Sequence, residues 1–159
     1  MTDNNNPVID PSIDPMEVAF EQARKAEIRG EVPIGAVLVD AKTGLILSAH
    51  GNRIEELFDP TAHAEMLVIR EAAIQKQSPR LIDCDLYVTL EPCAMCAQAI
   101  SLARVRRLYF AAYDPKGGGV DHGPRIYTQP TCHHAPEVIG GLREQEAAEM
   151  LQTFFKSKR

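Results

Sequence analysis

Two short motifs, His63-Ala64-Glu65 and Pro92-Cys93-Ala94-Met95-Cys96, combine three metal-binding side chains with one carboxylate. An imidazole and two thiols form a donor set that zinc prefers. A structural zinc site closes its tetrahedron with four protein ligands, whereas a hydrolytic site keeps three and leaves the fourth position to water. The motifs therefore predict a Zn²⁺ ion, one per chain, that activates a water molecule, with Glu65 as the carrier of its proton.

The spacing of these residues is compatible with a single metal. Cys93 and Cys96 stand three residues apart, which places both sulfur atoms on one face of a helix, and the N-terminal end of that helix favours thiolates. Glu65 follows His63 by two residues, so both can approach the metal only if they project beyond the open start of a helix. Thr61 is predicted to cap that helix and to place them there.

Two alternatives would exclude a hydrolytic zinc site. A closed structural zinc site would recruit Cys132, His133 or His134 as its fourth ligand, and the protein would then be a noncatalytic zinc-stabilised interaction module. In the other alternative, the motifs are only helix surface and buried thiols. Glu65 argues against a closed site, because a carboxylate next to a water-free metal would lose its hydration without gaining a function. We interpret the Cys-His-His run as loop residues.

The composition describes a mildly acidic protein of one domain that can bury a full core. The chain has 159 residues, of which 45% are hydrophobic. Its net charge of -5 gives no sign of nucleic-acid binding, so any RNA contact must come from a local basic face. Apolar runs are far shorter than the roughly 20 residues of a membrane span, and the N-terminus does not resemble a signal peptide. A C-x-x-C pair suits a reducing compartment. We therefore expect a cytoplasmic protein without membrane attachment.

The hydrophobic patterning predicts an α/β domain over residues 14–159, preceded by a mobile tail over 1–13. Two strands joined by a short turn predict an antiparallel hairpin, and a later strand-helix-strand unit predicts a parallel crossover. The segment from 116 to 136 is predicted to be an extended loop with one turn of helix. In chain order, the predicted elements are a helix over 14–29, strands over 34–39 and 45–48, a helix over 62–77, a strand over 86–90, a helix opened by Pro92, strands over 105–111 and 137–139, and a helix over 142–156.

The two metal-binding motifs resemble the signature of the zinc-dependent nucleoside and base deaminases, which is H-x-E followed by P-C-x-x-C. The chain is most similar to the bacterial tRNA-specific adenosine deaminases, from about residue 17 to residue 156. This resemblance is carried by residues 31–37, 51–53, 59–65 and 86–93.

The resemblance implies a fold, an activity and partners. The fold is the three-layer α-β-α cytidine deaminase-like fold, with a mixed five-stranded sheet, an antiparallel first hairpin, parallel crossover strands and helices on both faces. The activity is the conversion of adenosine to inosine at the wobble position of the tRNA anticodon loop, by a homodimer. The residue roles that it implies are zinc binding by His63, Cys93 and Cys96, proton transfer by Glu65, a polar contact to the base by Asn52, an apolar wall from Val32 and Ile34, and an Ala64 backbone N–H near the reacting centre.

Residues 117–136 depart from the family pattern, and their substrate contacts stay open. The triple glycine over 117–119 lacks the Lys-Ser/Thr of a phosphate-binding loop, so we expect it to give flexibility. A rival activity, the deamination of a free base or nucleoside such as guanine or cytosine, needs the same zinc site without an RNA-binding face. The residues that could form such a basic face, or could be ordinary solvated surface, are Arg104, Arg106, Arg107, Lys116, Arg125, Lys156, Lys158 and Arg159.

Overall fold

The computed structural model describes residues 12–158. The predicted tail over 1–13 therefore lies almost entirely outside the described residues. The first helix, α1, spans Pro15–Ile28 as expected. The Oδ1 atom of Asp14 accepts a hydrogen bond from the N–H of Met16 at 3.0 Å, which caps the helix start. Gly30, with a φ of +85°, follows the helix end and adopts the left-handed conformation that glycine favours.

Five strands form one mixed sheet in the order β2-β1-β3-β4-β5. Strand β1 pairs antiparallel with β2 and with β3, whereas β3, β4 and β5 run parallel to one another. The predicted hairpin, the predicted crossover and the mixed five-stranded sheet are thus confirmed. The strands are β1 Gly35–Asp40, β2 Ile46–Gly51, β3 Cys84–Leu90, β4 Arg107–Ala112 and β5 Glu137–Gly140.

Helices cover both faces of this sheet. One short helix was not expected from the sequence pattern, because four residues are too few for a visible apolar period. The long loop contains the predicted turn of helix as a 3-10 turn over Ile126–Thr128. The remaining helices are α2 Ile54–Leu57, α3 Ala64–Lys76, α4 Ala94–Leu102 and α5 Glu144–Ser157. None of the helices in the described part of the chain combines the length and apolarity needed to cross a membrane.

Two hydrophobic cores lie on opposite faces of the sheet. Along β1, Leu38 joins the core beneath α3 and α4, whereas Val37 and Val39 join the core beneath α1 and α5. Successive residues of a strand point to opposite faces, so a strand buried on both sides reads as a continuous apolar run. This arrangement confirms the predicted three-layer α-β-α fold.

Two predicted helix starts are wrong. Helix α3 begins at Ala64 with His63 as its N-cap, not near Ala62 with Thr61 as the cap. The reason is a local competition for the threonine side chain: the N–H and the hydroxyl of Thr61 both donate to Oδ1 of Asp59, at 2.8 and 2.7 Å. Helix α4 likewise begins at Ala94, with Cys93 as its N-cap, rather than at Pro92.

The buried face of α3 also differs from the prediction. The apolar spacing predicts Met66, Ile69 and Ala73 on the inner face, but these three residues are only half-buried. The face that meets the sheet lies about one residue earlier in the sequence than the predicted face. The residues of α3 that are fully buried are Ala64, Glu65, Val68 and Ala72.

Asp40 links the β1–β2 turn to the end of α3. Its Oδ1 accepts hydrogen bonds from the N–H groups of Lys42 and Thr43, and its Oδ2 accepts one from Nζ of Lys76 at 2.6 Å. The hydrogen bond from Lys76 is the main reason that the pKa of Asp40 lies below its ordinary value. Because the pKa is lower in the folded chain, this pair stabilises the fold above about pH 4 and loses its effect as the pH falls through the lowered pKa.

The variant Asp40→Asn keeps an acceptor for the turn and removes the charge that faces Lys76. We expect its free energy of unfolding at neutral pH to be lower than that of the wild type by about 0.5–1 kcal/mol, the range for a partly exposed ion pair. The difference should shrink as the pH falls through the lowered pKa of Asp40. Urea unfolding at neutral pH and at acid pH measures both quantities, and an equal loss at the two pH values would contradict this assignment.

Candidate metal and active site

The structure brings His63, Cys93 and Cys96 together as one possible metal site. Their ligand atoms all lie within 4.8 Å of one another, and they form the only such His, Cys, Asp or Glu cluster among residues 12–158. The Nδ1 atom of His63 is 3.7 Å from Sγ of Cys93 and 3.5 Å from Sγ of Cys96. Tetrahedral zinc with ordinary bond lengths separates its nitrogen and sulfur ligands by about 3.5 Å. The donor set and its spacing therefore fit zinc.

Two helix starts place these ligands. His63 is the N-cap of α3 and Cys93 is the N-cap of α4, while Cys96 lies in the first turn of α4. The positive ends of two helix dipoles thus meet at the site and favour thiolate and carboxylate groups. Glu65, the second residue of α3, points to the same place. The two residues of the H-x-E motif converge here because the chain is extended at His63 and helical from Ala64 onward.

Hydrogen bonding between the ligands shifts the pKa values of the two thiols in opposite directions. The hydrogen bond from Cys96 lowers the pKa of Cys93 to about 4, and the same contact, together with burial, raises the pKa of Cys96. The hydrogen bond with Cys93 raises the pKa of His63. A group of donors held in such close contact is suited to share a cation, which replaces the shared protons.

Glu65 is a buried acid beside the ligands. The residue is 4% exposed, and this burial is the main cause that raises the pKa of its carboxyl group above the ordinary value. A raised pKa makes the carboxylate a stronger base, which suits a group that accepts and returns a proton. Glu65 lines a cavity together with His63 and Cys93.

This cavity, which we call the catalytic pocket, has a volume of about 190 Å³. It is smaller than the roughly 300–1,000 Å³ of pockets that hold drug-sized ligands, so it suits one flat base with the rest of a nucleotide outside. An adjoining groove of about 650 Å³ runs toward α5 and contains Val32. The predicted wall residue Ile34 lines both spaces. The residues that line the catalytic pocket are Ile34, His63, Glu65, Leu90, Glu91, Cys93, Asp114 and Gly117.

Asn52 and Ala64, two predicted substrate contacts, contact each other. The N–H of Ala64 donates to Oδ1 of Asn52 at 2.9 Å, in a buried hydrogen bond. In this structure the Ala64 N–H is thus paired with Asn52, and its role near the reacting centre stays a prediction. The bond fixes Asn52 against the start of α3, and the Nδ2 amide is the donor that Asn52 can offer to a base.

Sequence reasoning missed four residues of the catalytic pocket, namely Leu90, Glu91, Asp114 and Gly117. Leu90 ends β3, and Asp114 follows the end of β4 by two residues. These strands are parallel, so their carboxyl ends meet at one edge of the sheet, where ligands commonly bind in open α/β folds. The predicted parallel crossover, combined with the preference of ligands for the carboxyl ends of parallel strands, is the signal that could have identified these pocket residues.

The Cys132-His133-His134 run does not form a metal site in the described residues. It holds the long loop against the end of α4 and the start of β4. The hydroxyl of Ser101 donates to the carbonyl of His134 at 2.5 Å, and Nε2 of His134 donates to the carbonyl of Val105 at 2.7 Å. All four cysteines of the chain are free thiols. The structure therefore contains no fourth protein ligand from this run.

The hydroxyl of Tyr127 is the one buried side-chain polar atom in residues 12–158 that lacks a hydrogen-bond partner. An unsatisfied buried hydroxyl costs about 1–3 kcal/mol. We therefore expect Tyr127→Phe to leave the free energy of unfolding unchanged or to raise it by about 1 kcal/mol, as measured by urea unfolding. A loss of stability in this variant would instead indicate that a buried water binds the hydroxyl.

Residues 12–112 match the family model for the cytidine and deoxycytidylate deaminase zinc-binding region. The tRNA-specific adenosine deaminase of Agrobacterium fabrum is 58% identical to the chain over 144 residues, which are 91% of this chain and 93% of that protein.

Solved structures agree with this match. A structure from a study of A-to-I editing by tRNA:A34 deaminases at the wobble position has a TM-score of 0.83 at 58% identity, and the match covers 86% of this chain and 98% of the other. The guanine deaminase of Nitrosomonas europaea has a TM-score of 0.76 at 22% identity, with coverage of 88% and 82%. At that identity, the second likeness concerns the fold alone.

Proposed function

The chain belongs to the cytidine and deoxycytidylate deaminase zinc-binding family and, within it, to the tRNA-specific adenosine deaminases, and we propose that it hydrolyses adenosine to inosine and ammonia at the wobble position of a tRNA anticodon loop. One observation carries this proposal: three zinc-binding atoms lie within 4.8 Å of one another beside a buried glutamate that lines a base-sized pocket. Three protein ligands are the number found in hydrolytic zinc sites.

In the proposed reaction, Glu65 transfers the protons. Zinc held by His63, Cys93 and Cys96 would supply Lewis-acid activation of the attacking water. Glu65 takes a proton from this water and delivers it to N1 of adenine while the oxygen attacks C6. It then takes the proton of the new C6 hydroxyl and delivers it to the departing amino group, so that adenosine and water become inosine and ammonia. The raised pKa of Glu65 suits a group that must gain and lose a proton in each cycle.

The small pocket requires that the base leaves its stack. Turning a base out of a duplex costs a few kcal/mol, and the cost is smallest in a single-stranded loop. An anticodon loop meets this condition. In our proposal Ile34 forms the apolar wall for the base, Val32 extends this wall into the adjoining groove, and Nδ2 of Asn52 donates to the base. Ala64 contributes by orienting Asn52 through its N–H.

The basic residues differ in how far they are available to RNA. Arg106 and Arg107 pair with Asp85 and Glu137, at 2.7 Å in both cases, so their charges are partly compensated. Lys116, in contrast, lines the groove beside the catalytic pocket. Lys156 and Lys158 line the next cavity along α5, and Lys116 extends into it. We propose that these three lysines contact the phosphates of the anticodon loop.

We further propose that the chain acts as a homodimer in the cytoplasm, where its tRNA substrate is found. Large apolar side chains are exposed on the single chain, including Phe58 at 95% and Leu102 at 67%. A second subunit would cover such side chains. Sedimentation equilibrium of the purified protein tests the assembly: a mass of two chains is expected, and a monomer at micromolar concentration would contradict it.

Mapping inosine in tRNA tests the proposed activity. The purified protein is incubated with total tRNA, with an anticodon stem-loop, with adenosine and with guanine. We expect inosine at the wobble adenosine of tRNA and of the stem-loop, with a rate that falls steeply as salt increases because phosphate contacts are lost. Turnover of guanine or of free nucleosides without turnover of tRNA would support the rival free-base activity instead.

A further inference from the structure

Glu91 is a completely buried carboxylate that the reaction described above does not use. Its side chain is 0% exposed. The carboxylate accepts four backbone hydrogen bonds and one from the Nδ1 atom of an imidazole. These donors are the N–H groups of Asp114 at 3.1 Å, Val120 at 3.2 Å, Asp121 at 3.0 Å and His122 at 3.2 Å, and Nδ1 of His122 at 2.8 Å.

All five donors come from one segment, residues 114–122, which we call the pocket loop. Burial of a carboxylate is costly unless hydrogen bonds replace its hydration. Glu91 obtains these hydrogen bonds entirely from the pocket loop. In turn, its carboxylate accepts from four N–H groups of the loop that have no strand or helix partner. The loop conformation and the carboxylate therefore depend on each other.

The triple glycine allows this close contact. A Cβ atom on Gly118 would lie 2.3 Å from Oε2 of Glu91, and one on Gly119 would lie 2.6 Å from the backbone nitrogen of Ala94. The N–H of Gly119 also donates to the carbonyl of Pro92 at 2.8 Å. The glycines thus bring the loop against the start of α4, which is a different role from the flexibility expected from the sequence.

The pocket loop forms one side of the catalytic pocket, since Asp114 and Gly117 line it. The groups that perform the chemistry, Glu65 and the zinc ligands, belong to α3, α4 and the residues that cap them. Resting on the proposed function, we propose that Glu91 is a positioning residue: it holds the pocket loop as a wall for the target nucleotide, and so sets substrate binding rather than the rate of deamination.

The variant Glu91→Gln tests this proposal. Glutamine keeps the shape of the side chain, but its amide group turns a donor toward donors of the loop. We expect KM for an anticodon stem-loop to rise by about tenfold or more and kcat to change by less than about threefold, the pattern of lost substrate binding. The zinc content should stay at one ion per chain. A purely structural role near Cys93 would instead lower kcat and zinc content together.

Hydrogen exchange gives a readout that does not depend on any activity. The amides of Val120, Asp121 and His122 donate to Glu91, so they should exchange faster in Glu91→Gln than in the wild type. The matched control is Asp85→Asn, a buried carboxylate in β3, the strand that ends just before Glu91, whose partner is Arg106. The control should change neither the exchange of the pocket loop nor KM.

Several results would overturn the inference: unchanged exchange and unchanged KM in Glu91→Gln, a joint loss of kcat and zinc, or an equal rise of KM in Asp85→Asn. If Glu91→Gln does not fold, His122→Ala replaces it, since this variant removes only the side-chain donor and should raise KM by about two- to threefold. A wild-type protein that does not deaminate the stem-loop refutes the proposed function. In that case, faster amide exchange in Glu91→Gln would still show that Glu91 holds the pocket loop in place.

Discussion

Glu65→Gln is expected to yield a folded, zinc-containing protein that forms no measurable inosine. Glutamine fills the same space but cannot take a proton from water or return one to the substrate. General acid-base catalysis contributes about 10²–10⁴-fold per role, and Glu65 serves as both base and acid, so kcat should fall by at least about 10⁴-fold. The fold should persist, because the wild-type carboxylate is buried at a cost that an amide does not incur.

The control for this variant lies on the same helix. Glu71 is a half-buried glutamate of α3 that faces His50 rather than the catalytic pocket. Glu71→Gln therefore makes the same chemical change away from the reacting groups, and should retain the wild-type rate. Single-turnover formation of inosine and metal analysis of both variants provide the comparison. Turnover by Glu65→Gln above about one per cent of the wild type would refute the proton-transfer role.

Cys96→Ser is expected to remove the zinc ion, all activity and part of the stability at once. Cys96 is fully buried, and its sulfur lies 3.5 Å from Nδ1 of His63. Serine binds zinc poorly, and two remaining ligands cannot hold the ion in tetrahedral geometry. Since metal binding free energy is part of folding free energy, the variant should unfold at a lower temperature than the zinc-loaded wild type. Treatment of the wild type with a strong chelator should lower its Tm in the same direction.

Cys132→Ser makes the same substitution outside the cluster. Cys132 contacts Ser101 and the carbonyl of His134, contacts that a hydroxyl can also make. This variant should keep one zinc ion per chain and the wild-type rate. Zinc loss from Cys132→Ser would place that residue among the ligands and favour a closed structural site.

The zinc ligands and the general fold could be predicted from the sequence because their causes are local. The i, i+3 spacing of Cys93 and Cys96 restricts where the two sulfur atoms can lie. The apolar run of β1, the short turn after it and the strand-helix-strand unit around α4 each determine a pairing of strands over a short stretch of chain. The mixed sheet follows from these pairings.

The rest of the site depends on contacts between distant residues. Glu91 accepts hydrogen bonds from residues 23 to 31 positions away, and no residue near Glu91 in the sequence indicates these partners. The start of α3 was misplaced because Thr61 is used as a donor to Asp59 rather than as a cap. Likewise, the sequence does not predict the hydrogen bond from the Ala64 N–H to Asn52. In each case a partner that propensity does not consider decides the outcome.

X-ray absorption at the zinc edge of the purified, reduced protein tests the central claim most directly. A site with His63, Cys93, Cys96 and one water should give two sulfur ligands at about 2.3 Å and two nitrogen or oxygen ligands at about 2.0–2.1 Å, with scattering from one imidazole. A third sulfur, a second imidazole or the absence of zinc would contradict an open, hydrolytic site.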